Sequence, residues 1–454
     1  MKNIKTKTIF ITSFHGLLSR VLGGGVLGGL LKNKNVKIVI FCLDFKKNYY
    51  EKEFGSDRVI IEIINGKTLP PRALFFQKIA FKLLLTKTTK IQTYSDLVEK
   101  KKYLQFVLRR VMSFLGSFKL TRELFRFIYF YFSKNDFFSE YFDKYKPDLI
   151  FSMDCKHMFD SQLILEAKKR KIKTIGMVRS WDNLTAKGVL RVIPDNLIVY
   201  NQIIKEEAVK YSDVDSDSIY VSGIPNYDMY TNEKRMPRRD FLKKINVSDK
   251  RKIILFAPTG NHYSKTDSQI MEILDNSIKK NLIPNNTHII VRFPPGDFVD
   301  TKNFQPGTNF SYDFVVPDTK LDNIKDNEMT LEKSLYLADL IYYSDVVVAG
   351  PSTILVDAIA LNKPSIAVGF DGFENKKYYE SIKRLFDYSH MNKLLFTGAI
   401  KLAKNELELL KFINEYLNNP DLNKKERQDA INQQCFKLDG KSSQRISEFI
   451  LSKI

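Results

Sequence analysis

Cysteine and tryptophan are almost missing from this chain, with 3 and 1 in 454 residues. Cys42, Cys155 and Cys435 have no metal-ligand spacing and no even count for a disulfide framework, which points to a reducing compartment, the cytoplasm. No run approaches the roughly 20 apolar residues that a membrane-spanning helix needs. The basic start Met1 to Thr8 is followed by only a short apolar run broken by Ser13 and His15, so no secretory signal is expected. No G-x-x-x-x-G-K-[ST], G-x-S-x-G or H-E-x-x-H occurs, which argues against P-loop phosphoryl transfer, α/β-hydrolase chemistry and zinc proteolysis. The glycines from Gly23 to Gly29 do not form a G-x-G-x-x-G after a strand, so no dinucleotide fingerprint is present. Asp213-Val-Asp215-Ser-Asp217 is read as a solvated polar loop and not as a metal site. No metal and no cofactor are expected.

Acidic residues are also in short supply, 52 against 72 Lys and Arg, a net charge of +20. Such a balance favours an anionic partner: nucleotide, nucleic acid or lipid headgroup. The imbalance concentrates in an insertion at about 67–140. From Lys67 to Lys119 there are twelve Lys or Arg and only Asp96 and Glu99 as acids, a balance of +10. Aromatics stand beside these cations, as in Phe125-Arg-Phe-Ile-Tyr-Phe-Tyr-Phe132. Two readings stay open: interfacial helices on an anionic membrane, or a helical hairpin packed on the sheet with a solvated basic face. No nucleic-acid motif accompanies the charge, and nucleic acid is not expected as a partner.

What is plentiful is alternation. Apolar runs at Thr8–Ser13, Lys37–Leu43, Val59–Ile64, Leu149–Met153, Thr174–Val178, Asn196–Tyr200 and Ile219–Gly223 are separated, in the later part, by helical patterns such as Phe159–Arg170 and Gln202–Tyr211. A polar, basic stretch, Thr231–Lys252, contains the expected linker. A second series follows: Ile253–Ala257, His288–Arg292, Phe314–Val316, Val346–Ala349 and Ser365–Gly369. Strands alternating with helices predict α/β architecture with two doubly wound, Rossmann-like parallel sheets facing a cleft. The domains are read as 1–235 and 250–437, with 438–454 a C-terminal helix that can cross back to the first.

In such sheets ligands gather at the carboxyl ends of strands. The densest of these ends is Asp345-Val-Val-Val-Ala-Gly350-Pro351-Ser352-Thr353. Gly350 and Pro351 break the strand, and Ser352 and Thr353 open a helix whose backbone N–H groups and dipole suit a phosphate. The same hydroxyls also read as plain helix caps. Asp357, one turn on, is placed to reach a ribose hydroxyl. Thr259 and Gly260 after one strand and Arg292 at the end of another can join this turn around a diphosphate, Arg292 through a bidentate contact. In the first domain, Trp181, Asp182 and Asn183 follow a strand. The indole can stack on a sugar ring while Asp182 accepts a proton, or Asp182 and Asn183 can simply satisfy their own backbone. Asp154 and His15 end two further strands and point, on topology, to the same place.

Ala257-Pro258-Thr259, Arg292-Phe293-Pro294, the block from Ser344 to Pro364 and the loop Trp181-Asp182-Asn183-Leu184-Thr185 together resemble the two-domain GT-B glycosyltransferases. The likeness is to the bacterial surface-polysaccharide and CDP-glycerol glycerophosphotransferase-like group, itself similar to the UDP-N-acetylglucosamine 2-epimerases. It spans roughly residues 145–425. Phe293 stands where related enzymes often have histidine, and Ser13-Phe14-His15-Gly16 replaces the Gly-Thr-Arg-Pro-Glu opening of the epimerases. The resemblance implies an enzyme whose C-terminal domain holds a nucleotide-sugar donor and whose N-terminal domain holds a glycan or lipid-linked acceptor. It implies metal-independent sugar transfer in surface polysaccharide synthesis, at the cytoplasmic face of the cell membrane. Ser352, Thr353 and Arg292 would hold the leaving phosphate, and Asp182, with His15 or Asp154 as substitutes, would take the acceptor's proton. Epimerisation and CDP-glycerol-type polyol-phosphate transfer are the alternatives.

Overall fold

The short apolar runs are strands because nearly every side chain in them is buried on one sheet face or the other, as in Ile9, Phe10 and Ile11 or Val346, Val347 and Val348. A computed structural model of the protein describes residues 6–15, 18–64, 71–133, 136–295, 297–302, 304–305, 307–313 and 329–454. The chain divides into two compact units, Met1–Asp228 with Phe436–Ile454, and Met229–Cys435.

In the first unit, β1 (Lys7–Ser13), β2 (Val36–Leu43), β3 (Val59–Ile64), β4 (Leu149–Ser152), β5 (Lys173–Met177), β6 (Asn196–Val199) and β7 (Ile219–Val221) form a parallel sheet in the order β3-β2-β1-β4-β5-β6-β7. In the second, β8 (Lys252–Ala257), β9 (Thr287–Arg292), β10 (Phe310–Asp313), β11 (Val346–Ala349), β12 (Ser365–Val368) and β13 (Ile400–Ala403) give β10-β9-β8-β11-β12-β13, again parallel. Strand order reverses between β1 and β4 and between β8 and β11. Neighbouring loops diverge at those two points, which leaves room for a ligand. The expected strand Phe314–Val316 lies outside the described residues. β13 escapes the sequence pattern because it is a short edge strand with Lys401 and Leu402 half-buried.

The stretch read as a linker instead carries a helix, Arg238–Lys244, with Phe241 and Leu242 buried and Phe241 against Tyr336 and Tyr343. The glycine-rich segment serves packing. A methyl group on Gly29 would stand 2.2 Å from Ser447 Oγ, so only a bare backbone lets the C-terminal helix Ser442–Leu451 approach.

The insertion folds as four helices, Pro71–Leu83, Lys87–Lys100, Tyr103–Leu115 and Lys119–Phe132. Its inner residues Phe76, Phe125 and Tyr129 join the core of the first unit. Asp213, expected in a solvated loop, is half-buried beneath it, its side chain 7 % exposed. Arg122 grips it with two bonds of 2.8 and 2.6 Å, and Arg126 adds a third of 2.8 Å. The reversal has an electrostatic cause: two arginines on the inner face of a helix need a carboxylate, and Asp213 caps the neighbouring helix Gln202–Ser212 within their reach.

Candidate active site

In the first unit, His15, Asp154 and the loop after β5 come together beyond the ends of β1, β4 and β5. Asp154 is 3 % exposed. Its Oδ2 accepts from Arg179 Nε at 2.8 Å and its Oδ1 from Lys156 N at 3.3 Å, and Asn183 Nδ2 lies 3.5 Å away. Burial raises its pKa, but Arg179 and His157 outweigh burial and hold the carboxyl below the usual range. The carboxylate is held charged against Arg179. His15 lies under the same charges. Burial, Arg179, Lys46 and His157 together lower its pKa to about 3 against the opposing effect of Asp154, so the imidazole is neutral at physiological pH and only weakly basic.

Asp182 remains. It precedes the short helix Asn183–Ala186 without capping it and pairs at 3.1 Å with Lys187, which also donates to Asn183 Oδ1 at 3.1 Å. The carboxylate is partly exposed and oriented, which is what a proton acceptor for an incoming hydroxyl needs. Asn183 is fully buried and ties the loop together. Trp181 packs half-buried against the core of the unit.

Arg179, Lys187 and Lys156 were not singled out from sequence. Arg179 directly follows β5 and was legible as a strand-end cation. Lys156 gave no signal: burial pushes its amine down to about 7, helped by Arg191 and opposed by Cys155.

In the second unit, Thr259 and Gly350 meet across the switch point between β8 and β11, a methyl on Gly350 falling 1.9 Å from Thr259 Oγ1. That hydroxyl oxygen is buried, and among the described residues it has no hydrogen-bond partner. The hydroxyls of the next turn are not absorbed by capping. Thr353 makes no side-chain cap and Ser352 Oγ is 3.5 Å from Ile354 N, at the limit of a hydrogen bond. Three of the expected binding residues already have partners within the unit. Arg292 is 5 % exposed and pairs with Asp313 beneath the Tyr336 ring, 5.9 Å from its guanidinium carbon. Gly260 gives its N–H to Asp267 at 2.8 Å, not to an open rim. Asp357 accepts from Tyr230 Oη at 2.7 Å, so a ribose would compete with that phenol. Burial raises the Asp267 carboxyl to about 6, the bonds from Gly260 and Thr259 opposing. Among the described residues no three His, Cys, Asp or Glu side chains gather to hold a metal ion.

The family model of CDP-glycerol:poly(glycerophosphate) glycerophosphotransferase matches residues 173–452, well over half of the chain, including the loop after β5 and the second unit's cluster but not His15 or Asp154. The chain belongs to this glycerophosphotransferase family. As a member it is a transferase. No curated protein sequence matches it. Its fold is similar to a putative UDP-N-acetylglucosamine 2-epimerase from Listeria monocytogenes, at 13 % identity and TM-score 0.57 over 99 % of this chain and 96 % of that one. The UDP-GlcNAc 2-epimerase of Neisseria meningitidis bound to UDP-GlcNAc gives 12 % and 0.55 over 98 % and 100 %. The wall teichoic acid polymerase TagF soaked with CDPG gives 16 % and 0.52 over 99 % and 89 %. The two parallel sheets of this glycerophosphotransferase family member are therefore a GT-B-type α/β fold.

Proposed function

We propose that the protein transfers a polyol-phosphate unit from a CDP-activated donor to a hydroxyl of a glycan or lipid-linked acceptor, without a metal, in the synthesis of a surface polymer. The observation that carries this reading is the buried, unpartnered Thr259 hydroxyl beside Gly350, with the uncapped Ser352 and Thr353 next to it. Buried hydroxyls seldom lack a partner, and a phosphate oxygen supplies one. The family match favours the CDP-linked donor among nucleotide donors.

In the proposed reaction the acceptor hydroxyl attacks the distal phosphorus of the donor and its proton passes to Asp182. The bridging P–O bond breaks and CMP leaves with the electron pair. Ser352, Thr353 and Thr259 hydrogen-bond the charge that grows on the leaving group. A second reading, glycosyl transfer from a UDP-sugar, is favoured by the half-buried Trp181 ring beside Asp182, an arrangement suited to a sugar face. There the anomeric carbon is attacked and UDP leaves. Epimerisation would need no acceptor.

A thermal-shift series with CDP-glycerol, CDP, CMP, UDP and UDP-GlcNAc tests the donor, because a ligand bound only by the native state raises Tm. Cytidine nucleotides are expected to give the larger rise, and Thr259→Val to diminish it. A rise with uridine nucleotides alone would transfer the case to the second reading. No rise with any of them would remove both. Acceptor-dependent release of CMP in the presence of EDTA then checks the chemistry.

A further inference from the structure

The second unit has a cavity of about 350 Å³, and none of its lining residues belongs to the Thr259 and Ser352 cluster. Arg238, Tyr342, Asp345, Lys363, Asp421 and Arg427 stand around it. Asp345 directly precedes β11 and Lys363 lies two residues before β12, so the cavity is at the amino ends of these strands. The donor hydroxyls assigned above lie beyond the carboxyl ends. β11 has four residues, and at roughly 3.3 Å per residue the two places are more than about 13 Å apart. The volume falls within the usual range for small-molecule sites.

Its walls are short of negative charge. Arg427 is 1 % exposed, and among the described residues its guanidinium bonds only neutral oxygens: Asn362 Oδ1 at 2.9 Å, Leu422 O at 2.6 Å and Pro420 O at 3.0 Å. Arg238 likewise donates to the carbonyls of Asp249 and Arg251, at 3.0 and 3.3 Å. Such bonds satisfy donors but leave the charge uncompensated, and buried charge is costly without a counter-ion. Among the described residues the Lys363 ammonium has neither a hydrogen-bond acceptor nor an ion-pair partner; its contact is the Tyr342 ring, 4.9 Å from Nζ to centroid. The two carboxylates are already paired with lysines outside the lining. Asp345 meets Lys252 at 3.3 Å and takes the Ile253 N–H at 2.8 Å, and Asp421 meets Lys424 at 3.0 Å. Burial pushes the Lys363 amine down to about 8; Asp345 opposes, while Arg235, Arg238 and Arg427 add to the effect of burial. A group carrying two negative charges answers this crowding better than a single carboxylate, and guanidinium N–H groups match phosphate oxygens. The Tyr342 ring adds an apolar face for whatever the phosphate is attached to.

We propose that this cavity is a second ligand site, which binds a small phosphorylated molecule with its phosphate held by Lys363, Arg238 and Arg427. The site stands apart from the donor chemistry, and so does its test. Inorganic pyrophosphate probes the phosphate alone and CMP a phosphate carried by a nucleoside, each titrated calorimetrically into the full chain. Pyrophosphate is expected to bind with Kd below about 1 mM in about 150 mM salt. Thr259→Val, which alters the donor cluster, leaves that affinity unchanged, whereas Lys363→Gln weakens it more than about tenfold. Lys363→Gln removes a crowded like charge, so its Tm stays level or rises, which shows that the variant is folded. CMP affinity that falls in Lys363→Gln as well as in Thr259→Val assigns a nucleotide to the cavity; a fall in Thr259→Val alone assigns it a phosphate without a nucleoside. As a readout that needs no substitution, acetylation of Lys363 by acetic anhydride, followed by peptide mass spectrometry, slows several-fold when pyrophosphate is present. Pyrophosphate binding that is unchanged in Lys363→Gln overturns the proposal, as does a Kd above about 1 mM. Acetylation of Lys363 at one rate with and without pyrophosphate overturns it too.

Discussion

Gly350 and Thr259 touch across the point where the second sheet reverses its strand order, and the glycine's missing side chain is what makes the contact possible. A Cβ there would lie 1.9 Å from Thr259 Oγ1 and 3.0 Å from its Cβ. Gly350→Ala is therefore expected to rotate or push out Thr259 at a cost of about 1–3 kcal/mol. Chemical denaturation gives the stability loss. Titration with CDP is expected to show a further loss of affinity, because the displaced hydroxyl is the one assigned to the donor.

Asp154 and Asp182 are expected to separate cleanly when each is changed to asparagine. Asp182→Asn breaks only a partly exposed pair with Lys187, worth at most about 1 kcal/mol, yet it removes the assigned proton acceptor. Turnover should fall about 10²–10⁴-fold with Tm nearly unchanged. Asp154→Asn leaves the half-buried Arg179 guanidinium without its carboxylate, and a loss of about 2–4 kcal/mol is expected. Tm and kcat measured on both variants check this. Equal turnover in Asp182→Asn and the parent would contradict the acid–base assignment.

Asp213 holds the helical insertion to the first unit through Arg122 and Arg126, and its contribution depends on pH. Burial alone would raise its pKa, but the arginine bonds prevail and the folded value is lowered. A depressed carboxylate contributes stability that is complete above its unfolded value of about 3.9 and is lost as pH falls through the folded one. Asp213→Asn is expected to destabilise by about 3–5 kcal/mol at neutral pH. The gap to the parent should close below about pH 4, which urea titrations at several pH values measure.

Gly29→Ala places a methyl 2.2 Å from Ser447 Oγ and 2.7 Å from its Cβ. A loss of about 1–3 kcal/mol is expected, and Ser447→Gly should restore part of it. A double-mutant cycle by denaturation gives the coupling energy.

The strands were legible because burial on both faces writes itself as unbroken apolar runs, as in β2 and β11. His15, Asp154 and the Ser352–Thr353 turn follow the carboxyl ends of β1, β4 and β11, as the apolar runs predict. Sequence could not show what each charged group does with its neighbours. Arg292 looks like a phosphate ligand until Asp313 is seen against it, some twenty residues away. Asp213 looks solvated until two arginines ninety residues upstream close on it. Nothing local to His15 shows its desolvation or the guanidinium of Arg179 beside it. Long-range ion pairs leave no local pattern, and those pairs decide which candidates are chemically available.

The docking of Ser442–Leu451 onto the glycine-rich helix has a consequence for biosynthesis. The first unit is completed by residues made after the whole of the second, Phe436–Ile454, so that the second lies wholly between its two parts. Domains fold as they are synthesised, usually the earlier one first. Here the later unit has its whole sequence available sooner, and the earlier one waits, its glycine groove uncovered, until the helix Ser442–Leu451 emerges.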